Sequence, residues 1–446
     1  MRAINSSAYS PLALSGAFRD LCRHMKTRHL LLLLSLIFAF DVVVASKFAI
    51  PARDKGLPGE GPIRRYEWFQ KLWERKRSGW AERVQADQGA LVFLGDSITQ
   101  GWGDQFRGHF KGVLVANRGI SGDTTRGVLI RLNEDVLSLN PKGVVILIGT
   151  NDLEEGAAPE VTAGNLKLIV AALKKHNATM PIILCNTFPS SATKKRPAAQ
   201  IRKINQLYFA AVKGDPQVTL LDTWTLFADA TGDAKKAEFP DLLHPNQAGY
   251  DKWAAALRPL LATHGFVEKI IPAFETEAGF VRIFNGKDLT GWGFRNHRTQ
   301  QKTATFDGKT ASSDGLYRAI NGRLVVTTPP EGRRIQQLWT TREFPKNFIL
   351  KIQFRATPNA DSGVFIRRPQ LQCRDYTLAG PWKELKKYKP QEWNEIVAVV
   401  KDGVAHCTCN GEVLNANFKV PPTGPIGLEG DRGQMEYRNI RVKELD

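Results

Sequence analysis

Five short apolar runs, each closed by glycine, asparagine or aspartate, constrain the first half of this chain most strongly. Ala90–Leu94 runs into Gly95, Val113–Ala116 into Asn117, Gly143–Ile148 into Gly149, Ile182–Cys185 into Asn186 and Val218–Leu221 into Asp222. Short runs that stay apolar instead of alternating suit strands buried on both faces. Stretches of helical period lie between them, notably 159–175 and 198–213. This alternation predicts a parallel sheet covered by helices on both sides. Ligands of such sheets bind beyond the carboxyl ends of the strands. The residues just after each run are therefore the candidates for chemistry. Ahead of the first run, Trp68, Leu72, Trp73, Trp80 and Val84 recur at helical spacings, which predicts a helix within 64–87.

The pattern changes after about residue 265. Ile270–Gly279 reads as a connection. From Phe280 onward come short runs punctuated by Gly, Pro, Asn and Asp: Leu324–Val326, Phe348–Ile352, Gly363–Ile366 and Glu395–Val400. Helical spacing is scarce there, and the region reads as an all-β sandwich. The expected division is an upstream extension and signal over 1–45, a Pro- and Gly-rich linker over 46–63 and an α/β domain over 64–265. A second linker over 266–279 and a β domain over 280–446 complete it. The 446 residues, 42% of them hydrophobic, are enough for two cores.

The N-terminal residues read as an address. Met25–His29 is basic, Leu30–Phe40 is apolar, and Val43-Val44-Ala45 ends on a small residue before Ser46. A membrane anchor is the rival reading, but a span needs about twenty apolar residues and Asp41 interrupts this run. The expectation is a secreted or periplasmic protein starting at Met25, with no stable membrane insertion after cleavage. Removing residues 1–45 takes five Lys/Arg and two Asp/Glu from a net charge of +18 and leaves +15. The basic residues are dispersed; the densest groups, at 75–77, 194–196 and 386–387, accompany no nucleic-acid-binding signature, so no nucleic-acid partner is expected. Beyond the signal the cysteines are Cys185, Cys373, Cys407 and Cys409. Four in that length make no disulfide framework, and Cys407 and Cys409 have no second pair with which to hold a metal. Packing, or one disulfide with Cys373, is the reading.

Four polar blocks occupy the predicted strand ends. Gly95-Asp96-Ser97 follows the first run, Asn117–Thr125 the second, and Gly149-Thr150-Asn151-Asp152 the third. Asp241-Leu242-Leu243-His244-Pro245-Asn246 follows the last. A serine hydroxyl is a weak nucleophile until a base takes its proton, and histidine is the side chain tuned for that. The base in turn needs a carboxylate that fixes its tautomer and stabilises the imidazolium. Asp241 and His244, three residues apart, fit those roles for Ser97. A tetrahedral intermediate also needs donors for its oxyanion. The Ser97 N–H, the N–H of the Cβ-less Gly122 and the Asn151 side-chain amide qualify. Asp96 and Asp123 read as structural.

In this order and at these positions the four blocks resemble the SGNH (GDSL-type) hydrolase family over about residues 60–265. Gly119–Thr125 is similar to the matching stretch of platelet-activating-factor acetylhydrolase catalytic subunits. The resemblance implies a three-layer α/β SGNH hydrolase with a flavodoxin-like parallel sheet. It implies a Ser97/Asp241/His244 triad with an oxyanion hole of Ser97, Gly122 and Asn151, and no metal or cofactor.

Phe284–Trp292, Asp361–Arg367, Glu392–Glu395, Gly424–Gly430 and Tyr437–Val442 resemble the 3-keto-disaccharide hydrolase domain family. That implies a concanavalin-like jelly-roll over about 280–446. Where that family often carries Glu-x-Gln-x-x-Asp, this chain has Gln370-Leu371-Gln372-Cys373-Arg374-Asp375. An amide at Gln370 cannot titrate, so sugar recognition is expected in place of glycosidic cleavage. Candidate contacts are Asp361, Arg367, Gln372 and Asp375, with Trp292, Trp339, Trp382 and Trp393 as stacking surfaces. The expected activity is removal of O-acyl, above all acetyl, groups from carbohydrate. The alternatives are a lipid or phospholipid acetylhydrolase, a bifunctional esterase and glycoside hydrolase, and a carbohydrate-binding protein with an idle esterase domain.

Overall fold

In the computed structural model, which describes residues 46–268, 275–296, 298–327, 336–376 and 384–445, the five apolar runs form one parallel sheet. Its strands are β1 (Leu91–Gly95), β2 (Val115–Gly119), β3 (Gly143–Leu147), β4 (Ile182–Cys185) and β5 (Val218–Leu221), in the order β2-β1-β3-β4-β5. Gly95 pairs with Gly119 on one side and Leu147 on the other. The segments leaving β1, β2 and β3 therefore emerge side by side. Side chains of successive strand residues point to opposite faces, and both faces are covered. Val92, Leu94 and Ile146 pack on one side with Leu132, Leu166 and Ile204; Phe93, Val145 and Leu147 pack on the other with Trp102, Trp253 and Leu257. Each such fully buried side chain contributes roughly 1.5–3 kcal/mol.

The helices are α1 (Glu67–Glu82), α2 (Ser97–Gly101), α3 (Thr125–Asp135), α4 (Thr150–Glu154), α5 (Pro159–His176), α6 (Ala198–Val212), α7 (Thr223–Phe227) and α8 (Gln247–Thr263). In α1 the phase differs from the sequence reading. The inward stripe is Phe69, Trp73, Arg77 and Trp80, whereas Trp68 stands in solvent. Spacings of four, four and three residues follow one helix face, and Trp68 lies off it. Residues 54–62, read as part of a linker, are fastened to the hydrolase body. Asp54 pairs with Arg126 (2.9 Å), Glu60 exchanges two hydrogen bonds with Asn165, and Thr124 Oγ1 donates to the Pro62 carbonyl (2.9 Å).

The second half contains β6 (Val281–Arg282), β7 (Trp292–Arg295), β8 (Lys302–Thr305), β9 (Tyr317–Ile320), β10 (Arg323–Thr327), β11 (Leu338–Thr340) and β12 (Phe348–Ala356). It continues through β13 (Asp361–Ile366), β14 (Gln370–Arg374), β15 (Asn394–Lys401), β16 (Val404–Cys409), β17 (Glu412–Lys419), β18 (Ile426–Leu428) and β19 (Gln434–Glu444). Two antiparallel sheets result. One runs β17-β16-β15-β12-β19-β10-β9 with β6 on β19; the other runs β14-β13-β18-β11-β7-β8. Their facing sides share one core, which includes Trp292, Leu324, Phe354, Ile396, Cys407, Cys409 and Tyr437. Cys185, Cys373, Cys407 and Cys409 are buried free thiols, so packing is their role.

The outer side of the first sheet meets the hydrolase. On β10, Leu324 and Val326 enter the sandwich while Val325 joins the cluster of Leu257, Leu260 and Leu261 from α8. Arg355 on β12 donates to Glu436 on β19 (2.5 Å), the Pro259 carbonyl (2.6 Å) and Thr263 Oγ1 (3.0 Å); Thr263 in turn donates to Glu436 (2.8 Å). Arg318 donates to the carbonyls of Val218 and Pro216, and Asn321 to that of Thr263.

Candidate active site

Ser97 opens α2 directly after β1. The Asp96 side chain caps that helix by accepting from the Ile98 N–H (2.9 Å). This holds the serine on a short turn at the sheet edge. His244 Nε2 lies 3.0 Å from Ser97 Oγ, and His244 Nδ1 lies 2.8 Å from Asp241 Oδ2. Asp241 and His244 occupy the turn before α8. The sequence reading placed them after the last strand, but α7 and residues 228–240 intervene. Asp241 Oδ1 also accepts the N–H groups of Leu243 (3.0 Å) and His244 (2.7 Å). Burial pushes the Asp241 carboxyl up, but these hydrogen bonds and the imidazole outweigh it and hold the group below its ordinary value. It therefore stays ionised beside the ring. The His244 and Asp241 side chains are 46% and 44% exposed, so the site opens to solvent.

The three expected oxyanion donors belong to the segments that leave β1, β2 and β3, whose ends lie side by side. Among the described residues, neither the Ser97 N–H nor the Gly122 N–H has an acceptor. Gly122 has φ +88°, and a Cβ there would stand 2.8 Å from Trp68 Cη2 and 2.9 Å from Arg64 Nη1. Only glycine suits such a place. Asn151, in the first turn of α4, donates one amide hydrogen to the Asp123 carbonyl (2.9 Å). Its Oδ1 accepts from Arg196 Nη2 (2.9 Å). The amide is thus held with its second hydrogen free for a ligand. Arg196 is itself fixed by the Thr150 carbonyl (3.1 Å), the Lys194 carbonyl (2.6 Å) and Glu154 (2.7 Å). Arg64 pairs with Glu154 and Glu155. Sequence reasoning missed Arg196, Arg64 and Glu154, since nothing in their spacing links them to the four blocks.

Beneath the site lie three buried carboxylates. Asp152 accepts from the Thr125 N–H (3.0 Å) and hydroxyl (2.5 Å), tying α4 to α3. Asp123 pairs with Arg131 (2.8 Å). Among the described residues no cation lies at hydrogen-bonding distance from Asp96, and burial, opposed by the Ile98 N–H, pushes its pKa up to about 7. These groups shape the loops, as the sequence reading of Asp96 and Asp123 had it. No group of three or more His, Cys, Asp and Glu side chains suited to a metal occurs among the described residues.

The sugar-contact candidates of the β domain fare differently. Arg367 is buried, donating to the carbonyls of Pro421 (3.0 Å) and Lys346 (2.5 Å). Asp375 is fully buried and accepts from the Asn359 N–H (3.1 Å). Neither reaches solvent, which corrects both assignments. Asp361 and Gln372 remain partly exposed and bond to each other. Trp292 and Trp339 are buried, and Arg438 stacks on Trp393 with its guanidinium 3.9 Å from the ring centroid. Trp292 and Trp339 are therefore not open to a sugar, and Trp393, partly exposed, carries a guanidinium on its ring. Trp382 lies outside the described residues. Gln370 donates to Glu429 (2.9 Å), a buried carboxylate the sequence reading had not singled out.

A serine in reach of a histidine–aspartate pair, at the end of a doubly covered parallel sheet, fits the class of serine hydrolases. The chain belongs to the GDSL-like lipase/acylhydrolase family, whose model matches residues 93–252; it is a hydrolase acting on ester bonds. Residues 279–443 match the 3-keto-alpha-glucoside-1,2-lyase-like domain. The chain is 30% identical over 174 residues to platelet-activating factor acetylhydrolase IB subunit alpha1 of Bos taurus, covering 38% of this chain and 74% of that one. It is 32% identical to subunit alpha2 of Homo sapiens over 174 residues, covering 38% and 75%. A GDSL-like lipase of Bacteroides thetaiotaomicron aligns at 25% identity with a TM-score of 0.38, covering 43% of this chain and 96% of that one.

Proposed function

We propose that this protein is an exported serine esterase that removes acyl groups, chiefly acetyl, from O-acylated carbohydrate. The observation that carries the chemistry is the continuous chain from Ser97 Oγ through His244 to Asp241. The sugar-related family of residues 279–443 supports the substrate class. The basic, apolar and small-residue succession over 25–45 supports export; those residues lie outside the described ones.

In this reading Ser97 Oγ attacks the ester carbonyl carbon while His244 Nε2 takes its proton. Asp241 holds the other ring nitrogen and stabilises the imidazolium. The carbonyl oxygen, now an oxyanion, takes hydrogen bonds from Ser97 N–H, Gly122 N–H and the Asn151 amide. Collapse breaks the bond to the sugar oxygen, which leaves with the proton from His244. Water, deprotonated by His244, then attacks acyl-Ser97 and releases the carboxylic acid with the hydroxyl of Ser97 restored. The curated relatives, named for an acetylhydrolase of platelet-activating factor, favour a second reading in which the alcohol is a phospholipid.

The test compares purified residues 46–446 with the Ser97→Ala variant on p-nitrophenyl acetate, acetylated xylan and a 2-acetyl phospholipid. Ser97-dependent acetate release from the xylan is expected. Release from the phospholipid but not the xylan would replace the carbohydrate reading, and no Ser97-dependent release from any ester would end both.

A further inference from the structure

Large apolar side chains that stand in solvent are few among the described residues, and only Tyr66 and Trp68 of them are aromatic. Both sit at the start of α1, 53% and 51% exposed. Their rings are nearly parallel, 11° apart, with centroids at 6.4 Å. At that distance parallel rings are offset, and about half of each side chain stays in solvent. Trp68 is also fixed. The rings of Trp68 and buried Phe69 are nearly perpendicular with centroids at 5.7 Å, and the Trp68 Cη2 edge lies against Gly122, whose N–H is an expected oxyanion donor. The Tyr66 hydroxyl approaches Glu155 (3.5 Å), which pairs with Arg64 (2.7 Å). An open aromatic surface with a polar rim therefore adjoins the oxyanion loop.

Resting on the carbohydrate reading above, we propose that Tyr66 and Trp68 form a sugar-ring subsite of the esterase. The pyranose that bears the acyl group lies over Trp68 while its ester reaches Ser97. A pyranose presents axial C–H groups to an aromatic face and carries hydroxyls around its edge. It therefore suits a flat ring bordered by Tyr66, Arg64 and Glu155. A long acyl chain would instead call for an enclosed apolar channel, whereas the His244 and Asp241 side chains here are almost half exposed. The β domain's described tryptophans are buried or covered.

The test uses the full chain, with O-acetylated xylotriose, p-nitrophenyl acetate and a 2-acetyl phospholipid as substrates. Trp68→Ala should raise KM for the acetylated xylotriose about tenfold, the size of one aromatic stacking contact. Its effect on kcat/KM should be at least about fivefold larger there than on p-nitrophenyl acetate. Trp68→Phe should recover most of the loss, and Tyr66→Ala should show a smaller loss of the same kind. In the Ser97→Ala background, binding of the acetylated xylotriose followed by calorimetry should weaken on adding Trp68→Ala. Equal losses on all esters would make Trp68 a prop for the Gly122 loop and overturn the subsite. So would no change on the sugar ester, or a loss confined to the phospholipid. A parent protein that cleaves p-nitrophenyl acetate through Ser97 but no acetylated sugar would fail the carbohydrate reading itself. That result is distinct from sugar cleavage indifferent to Trp68.

Discussion

Replacing Arg355 with methionine tests whether the two domains are joined by a desolvated polar cluster. The Arg355 and Glu436 side chains are each 1% exposed. The guanidinium serves Glu436, Thr263 Oγ1 and the Pro259 carbonyl at 2.5–3.0 Å. In Arg355→Met the Glu436 carboxylate stays buried with only the Thr263 hydroxyl as a donor from this cluster. Removing one partner of a buried pair costs about 3–5 kcal/mol, because the remaining charge is uncompensated. Replacing both partners by apolar groups of similar volume costs far less. Urea unfolding followed by tryptophan fluorescence should therefore show Arg355→Met losing about 3–5 kcal/mol. Arg355→Met/Glu436→Leu should recover at least about half of it. A single-variant loss under about 1 kcal/mol would refute the reasoning, since a surface pair contributes no more than that. A double variant less stable than either single would do the same.

Asn151→Ala should lower kcat by about 100–1,000-fold with little change in KM, as loss of an oxyanion donor does; unchanged kcat on p-nitrophenyl acetate would remove Asn151 from the oxyanion hole. Arg196 acts through that amide, so Arg196→Ala should lower kcat roughly tenfold while KM holds, and Arg196→Lys should restore part of it; a change in KM alone would deny it this positioning role. Asp96 keeps its proton up to about pH 7 in the folded state, against 3.8 as its ordinary value, so the folded protein binds more protons than the unfolded chain in that window. Its contribution to stability accordingly falls as pH rises from about 4 to about 7 and levels off above. Asp96→Asn, which can still accept from Ile98 N–H, should gain on the parent in urea midpoint between pH 5 and 8; a constant difference across that range would contradict the assignment.

The parallel sheet was legible because its strands are apolar at nearly every position, a pattern that little besides double burial produces. That Ser97, His244 and Asp241 could meet was legible because each follows a strand or precedes a helix in a short polar block. What escaped was set by tertiary placement. The helical spacing of α1 was plain, but Trp68 and Phe69 are adjacent and equally apolar, so the sequence could not say which one faced inward. Arg196 reaches Asn151 across 45 residues with no motif at either end. Arg367 and Asp375 were candidates because they close the Asp361–Arg367 and Gln370–Asp375 stretches, yet both are buried, where carbonyls and an N–H group hold them. A signal for the domain contact did exist. Leu324-Val325-Val326 is apolar without alternation, as a strand covered on both faces should be, and the second cover is α8.

Helix α8 is buried along most of its length, from Gly249 to Thr263. Its first turn is capped by Asn246, two residues beyond His244; its last turn is gripped by Arg355 and Asn321. At 1.5 Å per residue it is a rod of about 25 Å, anchored at its far end in the second domain. The turn that carries the His244 imidazole therefore inherits the stiffness of two cores instead of one. In mechanical terms, the β sandwich is the abutment against which the turn bearing His244 is braced.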